Sequence, residues 1–196
     1  MAVIEDSLWN SIPKICSRFD NAVNKFTNKN LPINYSPIKV SSWMGGDRDG
    51  NPNVTSKTTM EVVLLSRWEA ASLYEKEFTK LIQSLSLFDC SKKIKKQVGK
   101  TWEPYRVFLR PIRNKLQQTQ REIEDALFEK REPRKKLLVN SINEILDPLN
   151  EVYNSLCSVK CDIIANGLVL DIIRLSHTFG LNLAKLDIRQ ESSRHT

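Results

Sequence analysis

Apolar residues recur at intervals of three and four positions along most of the chain, which is the spacing of one face of an α-helix. The first such stripe, within residues 5–29, consists of Leu8, Ile12, Ile15, Phe19, Ala22 and Phe26. Pro13 lies inside this stripe, so we expect the helix to kink or restart there. A second, longer helix is predicted to open at Thr58, which forms a capping box with Glu61, and to continue to Leu85.

Three further helices follow from the same spacing. Residues 103–131 predict a long helix that is interrupted or delayed by Pro111. Residues 140–158 and 168–179 predict two more, and Gly180 marks the end of the last one. The chain is therefore expected to be mostly α-helical.

Only two short segments, residues 38–43 and 183–188, have the composition of β-strands. About 140 mostly helical residues separate them, so they would pair in parallel or through other strands. Because two strands alone do not form a stable sheet, we expect residues 1–196 to be a single partial segment of a larger fold. Both segments run directly into polar sequence, and ligand sites of α/β folds collect where strands end.

The first polar segment is WMGGDRDGNPN, residues 43–53, which combines three glycines with two aspartates and an arginine. A calcium-binding EF-hand loop is excluded, because Pro52 and Thr58 stand where that loop requires glycine and glutamate. Two interpretations remain open for Asp47, Arg48, Asp49 and Asn51, which form a candidate site loop. The aspartates form local turns while Arg48 bridges to a carboxylate, or the loop contacts a ligand directly.

The second polar segment contains Arg189 at the end of the second predicted strand. Strand alternation directs Asp187, Arg189 and Glu191 to one side. An arginine there suits a phosphate or a carboxylate, because its guanidinium offers two parallel N–H donors and stays charged. The alternative is an ion pair of Arg189 with Asp187 or Glu191.

The net charge of +7 comes from one segment of the chain. Residues 92–136 carry 15 basic and 6 acidic side chains, whereas the sequence before them carries 10 of each. We interpret this segment as a solvated surface, since few aromatic residues accompany the lysines and no nucleic-acid-binding motif appears. A basic nucleic-acid-binding module remains the alternative.

Other classes of site have little support in the sequence. The four cysteines lack the spacing of a metal site, and a reduced, cytoplasmic protein is expected. His177, late on an amphipathic helix, is interpreted as structural, and no nucleophile accompanies His195. No apolar run is long enough to span a membrane.

The stretches SSWMGGDRDGNPNVT and LDIRQESSRHT, together with IIANGLVLD and VVLLSRW, resemble segments of the phosphoenolpyruvate carboxylases. The resemblance extends over essentially all 196 residues. It implies a mostly α fold with a few parallel strands, as one segment of an α/β (TIM-type) barrel enzyme decorated with many helices. It also implies a cytoplasmic homotetramer that uses Mg²⁺ or Mn²⁺ to join phosphoenolpyruvate and bicarbonate, giving oxaloacetate and phosphate in an anaplerotic reaction, without a nucleic-acid or membrane partner.

Carried onto this sequence, the resemblance assigns substrate binding to two residues. Arg189 resembles the strand-end arginine that holds the substrate phosphate, and Trp43 resembles the tryptophan on the apolar side of the phosphoenolpyruvate pocket. The family's catalytic histidine segment (Thr-Ala-His-Pro-Thr) and its acidic metal ligands have no counterpart in residues 1–196, so we expect no catalytic residue and no metal ligand here. The chain alone is therefore expected to be inactive. A non-catalytic helical scaffold is the remaining alternative.

Overall fold

The computed structural model of the chain describes residues 3–49 and 51–190. In chain order, the α-helices are α1 (Trp9–Thr27), α2 (Ser56–Ser84), α3 (Lys92–Val98), α4 (Pro104–Glu129), α5 (Asn143–Ser158), α6 (Asp162–Ile164) and α7 (Leu170–Phe179). A π-helix (Val3–Leu8) precedes α1, a 3-10 helix (Lys135–Leu137) precedes α5, and a second π-helix (Ala165–Val169) joins α6 to α7. The strands are β1 (Ser41–Ser42) and β2 (Lys185–Leu186). The prediction of a mostly helical chain with parallel strands is confirmed.

Helix α2 begins one turn before the predicted capping box. Its N-cap is Thr55, whose side-chain oxygen accepts a hydrogen bond from the backbone N–H of Thr58 at 3.2 Å. The box of Thr58 and Glu61 was therefore wrong, and Glu61 instead lies 3.9 Å from Lys57 on the exposed helix surface. The run TSKTT offers a hydroxyl at several positions, and the helix is capped by the one whose backbone is still extended.

The internal prolines of α1 and α4 do not break their helices, and α5 likewise continues through Pro148. Helix α4 starts with Pro104 in its first turn and continues through Pro111, so the predicted interruption was wrong. Because Pro111 is exposed, water can reach the carbonyl group that its missing N–H leaves without a partner. Helix α1 likewise continues through Pro13, but its hydrogen bonding changes from π to α at Trp9, one turn before the proline.

Helices α2 and α4 make the most extensive helix–helix contact, and α5 and α7 complete the core around them. The largest fully buried side chains include Tyr74, Phe78, Tyr105 and Leu109. The hydroxyl of Tyr74 donates to the carbonyl oxygen of Gly180 at 2.9 Å, directly after the glycine-terminated end of α7 that the sequence predicted. Burial raises the pKa of the Tyr74 hydroxyl, so it stays a neutral donor.

The apolar stripe of α1 is only half covered. Ile12 is fully buried and Trp9 stacks on Phe179 with ring centroids 5.0 Å apart, so the first turns of α1 pack on α7. Farther along the helix, Phe19 and Phe26 are 42% and 86% exposed. The amphipathic pattern thus predicted the helix correctly, but only its first half faces the core of this chain.

The two strands pair directly and in parallel, with Ser41 opposite Lys185 and Ser42 opposite Leu186. They are shorter than the predicted segments, because the regular pairing stops where the chain turns after Ser42. Helix α2 fixes the approach of the second strand, since the side-chain oxygen of Ser66 accepts the backbone N–H of Leu183 at 3.1 Å.

Candidate active site

The backbone hydrogen bonds between the strands continue beyond the pairing of β1 and β2 and end at Arg189. Three donors on the second strand are spaced regularly: the N–H groups of Lys185, Asp187 and Arg189. Their acceptors on the first strand are the carbonyls of residues 40, 42 and 46, at 3.1, 2.9 and 2.9 Å. The first strand therefore contains two extra residues between the last two bonds, as in a β-bulge, a feature that redirects side chains at functional sites.

A tight turn of residues 43–46 accommodates these extra residues. The carbonyl oxygen of Trp43 accepts the N–H groups of Gly46 and Asp47 at 2.9 and 3.0 Å. After the turn, Asp47 forms a parallel bridge with Arg189. Both backbone groups of Arg189 are satisfied there, because its N–H donates to Gly46 and its carbonyl accepts from the N–H of Arg48 at 2.9 Å. We call residues 43–46 the bulge turn.

Two glycines make the bulge turn possible. Gly45 has φ +81°, and a Cβ at that position would lie 2.6 Å from Cγ2 of Val62 on α2. A Cβ on Gly46 would lie 2.4 Å from the backbone oxygen of Asp187. The glycines are thus required by close approach of the backbone to α2 on one side and to the second strand on the other.

The bulge turn brings together the two residues that the sequence predicted as substrate contacts. The Cζ atom of Arg189 lies 4.5 Å from the centre of the Trp43 ring, within the range of a cation–π interaction. Both side chains are exposed, with Trp43 exposed by 57%. Such a contact engages the charge of the guanidinium, whose N–H groups can still donate hydrogen bonds to a ligand.

The proposed ion pair of Arg189 with Asp187 does not form, since no salt bridge within residues 3–49 and 51–190 involves Arg189. Glu191, the other candidate partner, lies outside the described residues.

Arg48 contacts α2 rather than a carboxylate. Its Nη2 donates to the hydroxyl of Thr59 at 3.4 Å, and that hydroxyl donates to the carbonyl oxygen of Gly45 at 2.8 Å. The interpretation in which Arg48 bridges to a carboxylate was wrong for the described part of the chain, where no ion pair involves it. Thr59 was missed as a site residue, because its place in a run of threonines indicated only helix capping.

The remaining loop residues form local turns. The Oδ1 atom of Asp47 accepts the N–H of Asp49 at 3.3 Å, as predicted for an Asx turn. Asn51 makes a second such turn, with Oδ1 accepting the N–H of Asn53 at 3.0 Å. Asp49 and Asn51 are both exposed. Asp47 and Asn51 thus shape the loop, whereas the Asp49 side chain forms no turn of this kind within the described residues. None of the three side chains reaches Arg189 by a hydrogen bond in that part of the chain.

A metal ion does not fit the side chains described. Across residues 3–49 and 51–190, no group of three or more His, Cys, Asp or Glu side chains could hold one.

Burial, together with the nearby charge of Lys39, lowers the pKa of His177, and the backbone carbonyl of His177 accepts a hydrogen bond from Nζ of Lys39 at 2.9 Å. Within the described residues, His177 is therefore hydrogen-bonded to Lys39 and not to the bulge turn.

Neither of two cavities in the described structure is lined by Trp43 or Arg189. One of about 100 Å³ is lined by Ser42 and Leu186, whose side chains alternate to the other side of the strands. Another, of about 490 Å³, opens beside Phe88 and Trp102 at the ends of α3. The candidate site is thus an open surface at the strand ends.

The lysines at the start of the basic segment are exposed, as predicted, but the segment as a whole is not a solvated surface, because α4 buries Leu109, Leu116 and Ile123. Helix α3 directs Ile94 into the core, whereas Lys92, Lys93, Lys95 and Lys96 all lie on its exposed surface. Lys93 also forms an ion pair with Glu151 of α5. Within the described residues, no helix combines the length and apolar character that crossing a membrane requires.

Comparison with known proteins agrees with the resemblance seen in the sequence motifs. The profile of the family described as Phosphoenolpyruvate carboxylase matches residues 1–196. Relatives named phosphoenolpyruvate carboxylase from Hahella chejuensis (strain KCTC 2396), Marinobacter nauticus (strain ATCC 700491 / DSM 11845 / VT8) and Tolumonas auensis (strain DSM 9187 / NBRC 110442 / TA 4) are 44%, 46% and 41% identical to it.

The alignments cover 100%, 99% and 99% of this chain, respectively, and 22% of each relative. The chain therefore spans about a fifth of the length of these relatives. The family profile matches residues 1–196, and the relatives that align over the whole or nearly the whole of this chain are more than 40% identical to it. The chain therefore belongs to the phosphoenolpyruvate carboxylase family.

Proposed function

We propose that this chain supplies part of the substrate site of a phosphoenolpyruvate carboxylase, in which Arg189 binds the phosphate of phosphoenolpyruvate and Trp43 forms the apolar wall beside it. The observation that carries the proposal is the cation–π contact of the Arg189 guanidinium with the Trp43 ring at the ends of two parallel strands. Family membership supports the reaction: phosphoenolpyruvate and bicarbonate are converted to oxaloacetate and phosphate.

The chemistry of the pair fits an enol phosphate. A guanidinium can donate two parallel hydrogen bonds to phosphate oxygens and keeps its charge when water is excluded. The indole ring offers an apolar face that suits the enol carbons, and its contact with Arg189 restrains the arginine before substrate arrives. Restraint before binding reduces the conformational entropy lost on binding.

The remaining catalytic groups belong, in this proposal, to other segments of the complete enzyme. A divalent cation, Mg²⁺ or Mn²⁺, would there stabilise the charge that develops during phosphoryl transfer. The described residues offer no ligand set for it, so we assign it no role at these side chains. We further propose that residues 1–196 form one partial segment of a TIM-type barrel, in a cytoplasmic homotetramer without nucleic-acid partners.

Substitution of Arg189 in a complete enzyme that carries this segment tests the proposal. Arg189→Ala removes both charge and hydrogen bonds, so kcat/KM for phosphoenolpyruvate should fall about a hundredfold, equivalent to ~3 kcal/mol. Arg189→Lys keeps the charge but loses the bidentate geometry, and its kcat/KM should lie between those of the unsubstituted enzyme and Arg189→Ala. Initial rates of oxaloacetate formation give the measurement.

Arg110→Ala is the matched control, because Arg110 is an exposed arginine on α4. Its kcat/KM should remain within twofold of the unsubstituted enzyme, since surface substitutions have small effects. If Arg189→Ala behaved like this control, and lowered only the unfolding midpoint, Arg189 would be a structural residue and the proposal would be wrong.

A further inference from the structure

The hydrogen bonds of Thr59 connect helix α2 to the bulge turn. Its hydroxyl lies 2.8 Å from the carbonyl oxygen of Gly45 and 3.1 Å from that of Thr55, and its single proton can serve only one of them at a time. The Gly45 contact is the shorter. Arg48 donates to the same hydroxyl at 3.4 Å, which leaves the Thr59 proton for a carbonyl.

This connection determines where the bulge turn lies. Residues 43–46 protrude from the strand pair, and the local bonds of this turn join Trp43 to Gly46 and Asp47, and Met44 to the hydroxyl of Ser42 at 3.2 Å. Gly45, at the outside of the turn, is bound by Thr59 and packed against Val62 of the same helix. Trp43 therefore stays in contact with Arg189 because the turn is fixed at both ends, by Arg189 itself and by the first turns of α2.

We infer that Thr59 and Arg48 are positioning residues, which hold the bulge turn so that Trp43 remains in contact with Arg189; this inference rests on the proposed role of that pair in binding phosphoenolpyruvate. In this role Arg48 acts through its hydrogen bond to Thr59 of α2 and does not contact the substrate. The inference gives a function to the arginine of the GGDRDG loop, whose backbone N–H also binds the carbonyl of Arg189 at 2.9 Å.

Helix capping does not account for Thr59, because the N-cap Thr55 binds the neighbouring residue, Thr58. The N–H of Thr58 donates to the side chain of the N-cap Thr55, and its hydroxyl donates to the carbonyl of Asn53 at 3.2 Å. Thr58 and Thr59 are thus adjacent threonines in the same helical turn, and only Thr59 reaches the bulge turn. Thr58 therefore provides the matched control for Thr59.

The experiment measures steady-state kinetics of a complete enzyme that carries this segment, with phosphoenolpyruvate as the varied substrate. Thr59→Val preserves the shape of the side chain and removes the hydroxyl. We expect it to raise KM about fivefold, the effect of one lost hydrogen bond, with kcat within twofold. Thr59→Ser restores the hydroxyl and should return KM to within twofold. Thr58→Val keeps the backbone N–H that the cap binds and removes the hydroxyl bond to Asn53, so it should lower the unfolding midpoint and leave KM unchanged.

Combining Thr59→Val with Arg189→Ala separates this inference from the proposed function. If Thr59 acts through Arg189 and Trp43, the double variant should have the same KM as Arg189→Ala alone, because the second change has nothing left to disturb. Independent multiplication of the two effects, or an unchanged KM in Thr59→Val, would overturn the positioning role while Arg189 keeps its own. An unchanged KM and kcat in Arg189→Ala would overturn both.

Arg48→Met provides a second variant should Thr59→Val fail to fold. It keeps the apolar stem of Arg48 and the backbone N–H that binds Arg189, and it removes the hydrogen bond to Thr59. The expected result is the same rise in KM with kcat within twofold. A large fall in kcat with unchanged KM would instead show that the Arg48 guanidinium participates in the reaction, contrary to the positioning role.

Discussion

At the scale of single residues, the close approach of two backbones explains why glycines concentrate after the first strand. Gly46 is buried, and the atom nearest to its missing Cβ is a backbone oxygen, that of Asp187. A flexible side chain could move away from a new methyl group, but a carbonyl held in the strand pairing cannot do so without separating the strands. The loop composition therefore reflects packing between two backbones as well as any contact with a ligand.

Gly46→Ala should lower the free energy of unfolding by about 2 kcal/mol, because the added methyl group overpacks the strand contact. Ser41→Ala, on the exposed surface of β1, is the control and should change it by less than about 0.5 kcal/mol. Urea unfolding followed by circular dichroism measures both. Equal effects of the two substitutions would show that the second strand can shift to accept a Cβ at position 46.

The sequence predicted the position of this site better than its internal contacts. Strand alternation and the polar run correctly indicated that Trp43 and Arg189 lie where strands end, and their contact agrees with that. The partner of Arg48 could not be predicted, because the hydroxyl of Thr59 becomes available only when α2 starts at Ser56 and packs against the turn. Contacts of this kind depend on tertiary packing and not on local spacing.

At the scale of secondary structure, hydrophobic spacing predicted the long helices, whereas their ends and the effects of proline were set by the surroundings. Pro111 was tolerated because it faces solvent. The short helix α3 was not predicted as a separate element, since only two of its residues, Ile94 and Val98, are apolar and pack on the core amid four lysines. Hydrogen bonds also hold the start of α3 in place. The N–H of Ser91 donates to the hydroxyl of Ser155 at 2.8 Å, and the hydroxyl of Tyr105 lies 2.8 Å from the same Ser155 hydroxyl.

Substitutions in α3 should therefore divide by the side of the helix they alter. Ile94→Ala should lower the free energy of unfolding by about 3 kcal/mol, because Ile94 is fully buried in the main core. Replacing Lys92, Lys95 and Lys96 together by Gln should change it by less than about 0.5 kcal/mol. Urea unfolding again gives the measurement. A comparable loss in the lysine variant would show that these side chains are paired or packed in solution.

At the scale of the whole chain, the residues divide into a self-contained helical core and surfaces that this chain leaves open. Tyr74, Phe78 and Leu109 are buried by other parts of the same chain. By contrast, Phe26, Trp102 and Ile163 are exposed by 86%, 82% and 91%. Exposed apolar side chains in such number are typical of surfaces that contact further protein, which agrees with a chain that spans about a fifth of the length of its relatives.

The whole-molecule prediction is that the 196-residue chain by itself produces no oxaloacetate. Carboxylation of an enol phosphate requires compensation of the charge that develops on the phosphoryl group and protection of reactive intermediates from water. Here the candidate site is one arginine and one indole on an open surface, without a set of metal ligands among the described residues. The assay combines the purified chain with phosphoenolpyruvate, bicarbonate and Mg²⁺, and a complete phosphoenolpyruvate carboxylase serves as the positive control. Oxaloacetate formation above the metal-only background would contradict our assignment of the remaining catalytic groups to other segments, and it would require a catalytic group within these 196 residues.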